Sequence, residues 1–397
     1  MSSKNHEIIV VGGGIFGLST AIELNRRGHD VGLINPDRIP HPLAASTDIS
    51  KIVRMEYGSD QQYFKMAEHS MRQWRKWNEV LQEEIYREVG ILLLCRKSLS
   101  EPAQRYEYDS YHILKENGYN PQPQDTEELA KRFPKINTDY FSEAVYNDRA
   151  GYVLAGRAIE RLAAYAHDQG VSIYEGQTAS DFVQSNSQIK GVNTKEGHTF
   201  GCDRLVIAAG AHSPLLVDEL KPYIQATGHP VFWLKPSDPH QFEAPEFPVF
   251  TADISNSGWY GFPLHPAAGV IKFGRHTDGL PLHPDHDERR VTDYEVAEFR
   301  GFISEAFPAL NDAPLVYTRR CLYTDTLDGH FWIDHHPDID GLTVCTGGSG
   351  HGMKMGPVVG EITADVMEGK DNPFAARFRW RNIDQPGKED CRFIAGR

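Results

Sequence analysis

The chain has 397 residues, 40% of them hydrophobic and 24% charged, which excludes a disordered or fibrous protein and predicts two or three domains, or one large domain with an inserted lobe. Fifty-five acidic against 41 basic residues leave a formal charge of −14, a balance that repels phosphate backbones and argues against a nucleic-acid partner. Five cysteines, irregularly spaced and without a Cys-x-x-Cys pair, favour neither a disulfide framework nor a thiolate zinc site, and no apolar run approaches the ~18 residues of a membrane span.

The start of the chain is polar and leads straight into residues 6–11, which read as a short buried strand with no signal peptide before it. The tripeptide Ala395-Gly396-Arg397 does not match a peroxisomal Ser-Lys-Leu address. With the reducing environment that the cysteines suggest, the expected compartment is the cytoplasm, a peroxisomal one being left open. The strand runs into Gly12-Gly13-Gly14-Ile15-Phe16-Gly17. Leu18, Ala21, Ile22 and Leu24 then follow helical spacing, Gly28 reads as a C-cap, and residues 31–34 read as a second buried strand. Strand, turn, helix and strand fit within the roughly 30 residues of a βαβ unit.

In that context the Gly-x-Gly-x-x-Gly pattern predicts a dinucleotide site. Gly12 permits the tight turn, Gly14 lets backbone amides approach a pyrophosphate, and Gly17 lets helix and strand pack closely. The phosphates would rest at the positive helix terminus. The end of the second strand normally offers an acid to the ribose. Here it is Asn35, with Asp37 two residues on as a substitute.

Further along, residues 63–85 read as a long helix, 90–95 as a strand, 157–170 as an amphipathic helix and 171–174 as a strand. Residues 205–210 form a buried strand ending in glycine. Pro-rich loops lie at 236–248 and 280–284. A last buried strand, 342–345, enters the glycine-rich turn 346–352, and a helix is expected over 357–367. There is no internal repeat. The histidines and acids at 328–336 and 283–287 lack a recognised ligand spacing, so no metal site is assigned.

Four segments carry a resemblance. They are Ser46-Thr47-Asp48-Ile49-Ser50-Lys51-Ile52-Val53-Arg54, then Tyr260-Gly261-Phe262-Pro263 running to Lys272-Phe273-Gly274-Arg275-His276. Arg320-Cys321-Leu322-Tyr323-Thr324 leads on to 328–337, and Gly348-Ser349-Gly350-His351-Gly352-Met353-Lys354-Met355 completes the set. In this order they resemble the monomeric sarcosine oxidase family of FAD-dependent amine oxidases over essentially the whole chain. The first segment is more similar to the pipecolate, saccharopine and fructosyl amino acid oxidase branches than to sarcosine oxidase itself.

The resemblance implies an α/β flavoprotein with a Rossmann-type FAD-binding domain (1–85, 150–215 and 320–397) and a discontinuous substrate domain (86–149 and 216–319) on a mixed or antiparallel sheet. It implies FAD bound through a thioether to Cys321, helped by positive charge from Arg319 and Arg320. Arg54 and Lys354 would hold a substrate carboxylate, and Lys272, with Lys51 sharing the work, would activate oxygen. His276, Tyr260 and Tyr323 would line the substrate cavity. Ile15, Phe16, Ser46, Thr178, Ala209, Gly210, Gly348, Gly350, His351 and Gly352 fall at cofactor-side positions, the last turn facing the pyrimidine end of the flavin.

The implied reaction is oxidation of a C–N bond in a secondary amine bearing a carboxylate, by a monomer using O₂ and releasing H₂O₂. Alternatives are a flavin dehydrogenase with another electron acceptor, an oxidase of biosynthetic imine or alkaloid precursors, and a flavin-binding protein without catalysis.

Overall fold

The computed structural model describes residues 4–387 and 391–394; the remainder, including the C-terminal tripeptide, lies outside the described residues. The strand Lys4–Val11, apolar and buried from Ile8 onward, lies inside an eight-stranded sheet. It pairs in parallel with Val31–Asn35 on one side and Thr199–Ile207 on the other. Ser172–Glu175 and Leu342–Thr346 extend the parallel core, and Trp332–His335 adds an antiparallel edge. Isoleucine, valine and leucine fill the central strands because both faces are covered, one by the long helices and the other by Val217, Leu220, Ile224 and Trp380.

A second, nine-stranded mixed sheet contains Ile91–Cys95, Val249–Ala252 and Ile271–Arg275, with the long ladder Ile224–Leu234 against Leu315–Thr326 at one end. A three-stranded sheet, Lys51–Val53, Gly151–Val153 and Tyr86–Arg87, completes the strand architecture. The expected α/β class with a mixed second sheet is borne out. Among the described residues no helix is long and apolar enough to cross a membrane.

Several element limits differ from the sequence reading. The long helix is Gln61–Leu81; Asp60 caps its start by accepting from the Tyr63 amide, and Gln82 ends it in the left-handed region. The last helix begins at Gly352 and runs through Pro357 to Met367. The early start is set by packing against the first helix, Ile15–Arg26. A Cβ at Gly356 would lie 2.2 Å from Ile15 Cγ1, and one at Gly360 would lie 2.5 Å from the Ser19 carbonyl oxygen. Two glycines four apart therefore let the backbones touch, and this contact brings both helix N-termini to one place.

Gly360→Ala is expected to lower stability by about 1–3 kcal/mol, because the obstructing atoms are backbone. Gly301→Ala, in the helix Asp293–Ala306 with nothing within 4 Å, is expected to be neutral or stabilising by up to about 1 kcal/mol. Denaturant midpoints for the two variants check the contrast.

Candidate active site

Both glycine-rich turns leave a parallel strand and open a helix. Gly12 has φ +112°, and a Cβ there would meet the Ala208 carbonyl oxygen at 2.5 Å; a Cβ on Gly17 would lie 1.8 Å from the Gly12 oxygen. Gly14, at the helix start, has no side chain to cap it, and no acid lies in the first turn. The turn 347–350 leads in the same way to a helix start at His351 with no side-chain cap. A Cβ on Gly348 would meet nothing closer than 3.8 Å, so its absence keeps space above the backbone beside Phe16. Two open helix N-termini and this cradle suit the phosphates and anionic ring of a flavin dinucleotide.

The neighbouring side chains support the first turn. Ser46 Oγ accepts from the Ile15 amide at 3.0 Å. Asn35 is turned inward: its Oδ1 accepts from the Gly13 amide at 2.9 Å and its Nδ2 donates to the Asp37 carbonyl at 2.6 Å. The Asp37 carboxylate is exposed and accepts from the Arg38 amide. Thr178 donates from its amide and hydroxyl to Glu196, at 2.8 and 2.9 Å. Ala209 and Gly210 follow the strand Thr199–Ile207, and the Gly210 carbonyl accepts from Thr346.

A partly open cavity lies beyond the second turn. It gathers Lys51, Arg54, Tyr260, His276, Tyr323 and Lys354, together with Gly350 and His351. Gly350 has φ +75°, and a Cβ there would strike the Tyr323 ring at 2.5 Å. Tyr260 and Tyr323 interact through their hydroxyls, and burial pushes both phenols upward.

Arg54 is 4% exposed, and among the described residues no carboxylate oxygen lies within 4.0 Å of it. Its guanidinium donates to the Tyr106 hydroxyl at 2.5 Å, and that hydroxyl donates to the Glu56 carbonyl at 2.7 Å. Among the described residues no acid lines the cavity. A buried cation without a counter-charge is costly, and an incoming carboxylate would relieve that cost.

Lys272 stands behind this cavity. It is 1% exposed; Nζ donates to the Ser50 carbonyl at 2.6 Å and lies 2.7 Å from Asp48 Oδ2. Lys51 Nζ is 3.7 Å from the same carboxylate oxygen and 3.3 Å from Cys321 Sγ. One buried acid therefore answers two lysines. Burial acts against ionising Asp48, yet Lys272 and Lys51 hold its carboxyl down at about 2. Burial pushes the Lys272 ammonium down to about 8 despite Asp48. Lys51 is held above the usual lysine range, against its own burial, by Cys321 and Asp48.

The expected help for Cys321 from both flanking arginines is corrected. The alternation of Leu315–Thr326 sends Arg320 to the opposite face, where it pairs with Glu295 at 2.6 Å. Arg319 donates to the Pro42 and Thr47 carbonyls. Lys51 supplies the charge next to the sulfur. Sequence reasoning also missed Tyr57, Thr251, Ile254, Met353 and Cys391, all cavity-lining. Tyr57 stands three residues after Arg54, the one signal that pointed to it.

The open helix starts, the parallel core and the cation-lined cavity define a nucleotide-dependent oxidoreductase of the two-sheet flavoprotein type. The chain belongs to the FAD dependent oxidoreductase family, whose model matches residues 7–366. It is 26% identical over 372 residues to the monomeric sarcosine oxidase of Bacillus sp. (strain B-0618), covering 92% of each chain. It is 28% identical over 426 residues to the L-saccharopine oxidase of Schizosaccharomyces pombe, covering 98% of this chain and 96% of that one. The fold superimposes with a TM-score of 0.81 on fructosyl amine:oxygen oxidoreductase (Amadoriase I) from Aspergillus fumigatus, at 25% identity, over 100% and 95% of the two chains. The family resemblance read from the sequence is borne out.

Asp48→Asn is expected to destabilise the protein by about 3–5 kcal/mol, because two buried ammonium groups lose their shared counter-charge. Lys272→Met in the same chain is expected to recover part of that loss, measured by denaturant unfolding of both variants.

Proposed function

We propose that this enzyme is an FAD-dependent oxidase of the C–N bond in secondary amines that carry a carboxylate, the class of N-substituted, cyclic or fructosyl amino acids and saccharopine. The observation that carries the reading is Arg54, buried in the same cavity as Lys354 and answered by no carboxylate among the described residues. The relatives, named for sarcosine, saccharopine and fructosyl amine, agree with it.

When bound, FAD supplies a two-electron acceptor for the carbon beside the amine and passes those electrons to O₂, the imine product being hydrolysed and H₂O₂ released. Arg54 offers a planar fork and Lys354 a point charge to the carboxylate, which fixes the direction of the amine. The same cations disfavour a protonated amine and so free the lone pair that oxidation requires. The Tyr260–Tyr323 hydroxyl pair and His276 border the amine end. Lys51 and Lys272 stabilise negative charge as oxygen is reduced near the cavity wall. Cys321, with Lys51 beside its sulfur, is the proposed attachment point of the flavin.

A panel of secondary amino acids with a peroxide readout tests this. Peroxide is expected only with the carboxylate-bearing members, and Arg54→Ala is expected to raise KM by about 30- to 1,000-fold, the loss of a charge-assisted pair. The same preparation precipitated with acid is expected to keep its yellow colour in the pellet. A panel giving equal peroxide with carboxylate-free amines contradicts the reading.

The pH dependence has a definite sign. Lys272 is charged below about 8 and loses its proton as pH rises through that value. The rate of reoxidation by O₂, measured apart from substrate oxidation, is therefore expected to fall between pH 7 and 9. Lys272→Met is expected to lower the rate about 10²–10³-fold and to remove the inflection.

A further inference from the structure

Arg54 and Lys354 come from different parts of the chain, and their charges repel. Arg54 directly follows the strand Lys51–Val53, whereas Lys354 sits in the first turn of the helix Gly352–Met367. One ring lies against both. The Arg54 guanidinium carbon is 5.3 Å from the centroid of Tyr57, and Lys354 Nζ is 5.2 Å from the same centroid. Both distances are within the range at which an aromatic face attracts a cation.

The ring is fixed by other groups. It stacks on Tyr63 at 5.1 Å between centroids and 17° between planes. Its hydroxyl lies 3.1 Å from His351 Nδ1, and His351 Nε2 lies 3.1 Å from the Gly329 carbonyl. Nε2 must carry the hydrogen to meet a carbonyl, so Nδ1 is the acceptor and Tyr57 donates to it. Lys354 is anchored from behind, its carbonyl accepting from Ser70 Oγ at 2.6 Å and Trp74 Nε1 at 3.1 Å.

We propose that Tyr57 is the positioning residue of the carboxylate site: its ring holds Arg54 and Lys354 at one spacing, so that a single carboxylate meets both cations. The inference rests on the reading of Arg54 and Lys354 as the carboxylate site. The ring face does the holding, and the hydroxyl only orients the ring. Tyr57→Phe therefore keeps the function, whereas an aliphatic side chain of similar reach loses it. The substrate's amine end is untouched by either change, so the effect appears in carboxylate affinity and not in the limiting rate.

The test uses acetate and its neutral isostere acetamide as probes, titrated into the flavin-loaded enzyme and followed by the visible absorption of the flavin. Wild-type enzyme is expected to bind acetate at least tenfold more tightly than acetamide. Tyr57→Phe is expected to keep acetate affinity within threefold. Tyr57→Leu, and Tyr57→Met as a second aliphatic replacement that refills the space, are expected to weaken acetate about tenfold. They are also expected to raise KM for an amino acid substrate, leaving kcat within twofold. Wild-type enzyme with no preference for acetate would overturn the underlying carboxylate reading. A wild-type preference that survives in the aliphatic variant that retains flavin, or is lost equally in Tyr57→Phe, would overturn the role given to the ring.

Discussion

The structure turns on an uneven distribution of charge. A protein of formal charge −14 places Lys51, Arg54, Lys272 and Lys354 in or directly behind one buried cavity. Water would solvate those cations far better than the interior does, so each needs a compensating partner. Asp48 supplies one for Lys51 and Lys272. Aromatic rings and a tyrosine hydroxyl moderate Arg54, but no carboxylate neutralises it among the described residues. An anion bound there would relieve that cost, and the acidic exterior would sharpen the contrast in potential.

The scaffold makes that arrangement possible by bringing distant segments together. The Gly356–Gly360 contact with Ile15 and Ser19 aligns two helix starts at the ends of parallel strands. The ladder between Ile224–Leu234 and Leu315–Thr326 sets Tyr323 and Cys321 on one face, with His229 stacked on Tyr323 at 3.9 Å. The glycine-rich turns of the first sheet and the cavity-lining groups of the second consequently meet across the junction of the two large sheets.

Much of this was legible in the sequence because its physical causes are local. Gly12, Gly14 and Gly17 are demanded by steric contacts within a few residues, and the buried strands beside them are plain apolar runs. Other features were not legible, because they depend on direction. Spacing alone did not reveal that Asn35 would turn toward the Gly13 amide, or that Lys272 would point at Asp48 while Lys51 reached the cavity. Pro357 looked like a helix start, yet two glycines that pack against another helix moved that start to Gly352. The hairpin Ala179–Ser185 with Gln188–Thr194 escaped notice because its strands are largely polar and half-exposed. Tyr57 gave no signal beyond its nearness to Arg54, since its role comes from a lysine 297 positions later in the chain.

The most direct test of the charge argument is anaerobic bleaching of the bound flavin by one secondary amino acid and by its carboxamide. The two molecules share the reacting C–N bond and differ only in the group that the cations would grip. The account predicts that the acid reduces the flavin at least about 100-fold more efficiently, consistent with a loss of about 3 kcal/mol for the uncharged analogue. Equal efficiency for acid and amide would contradict it.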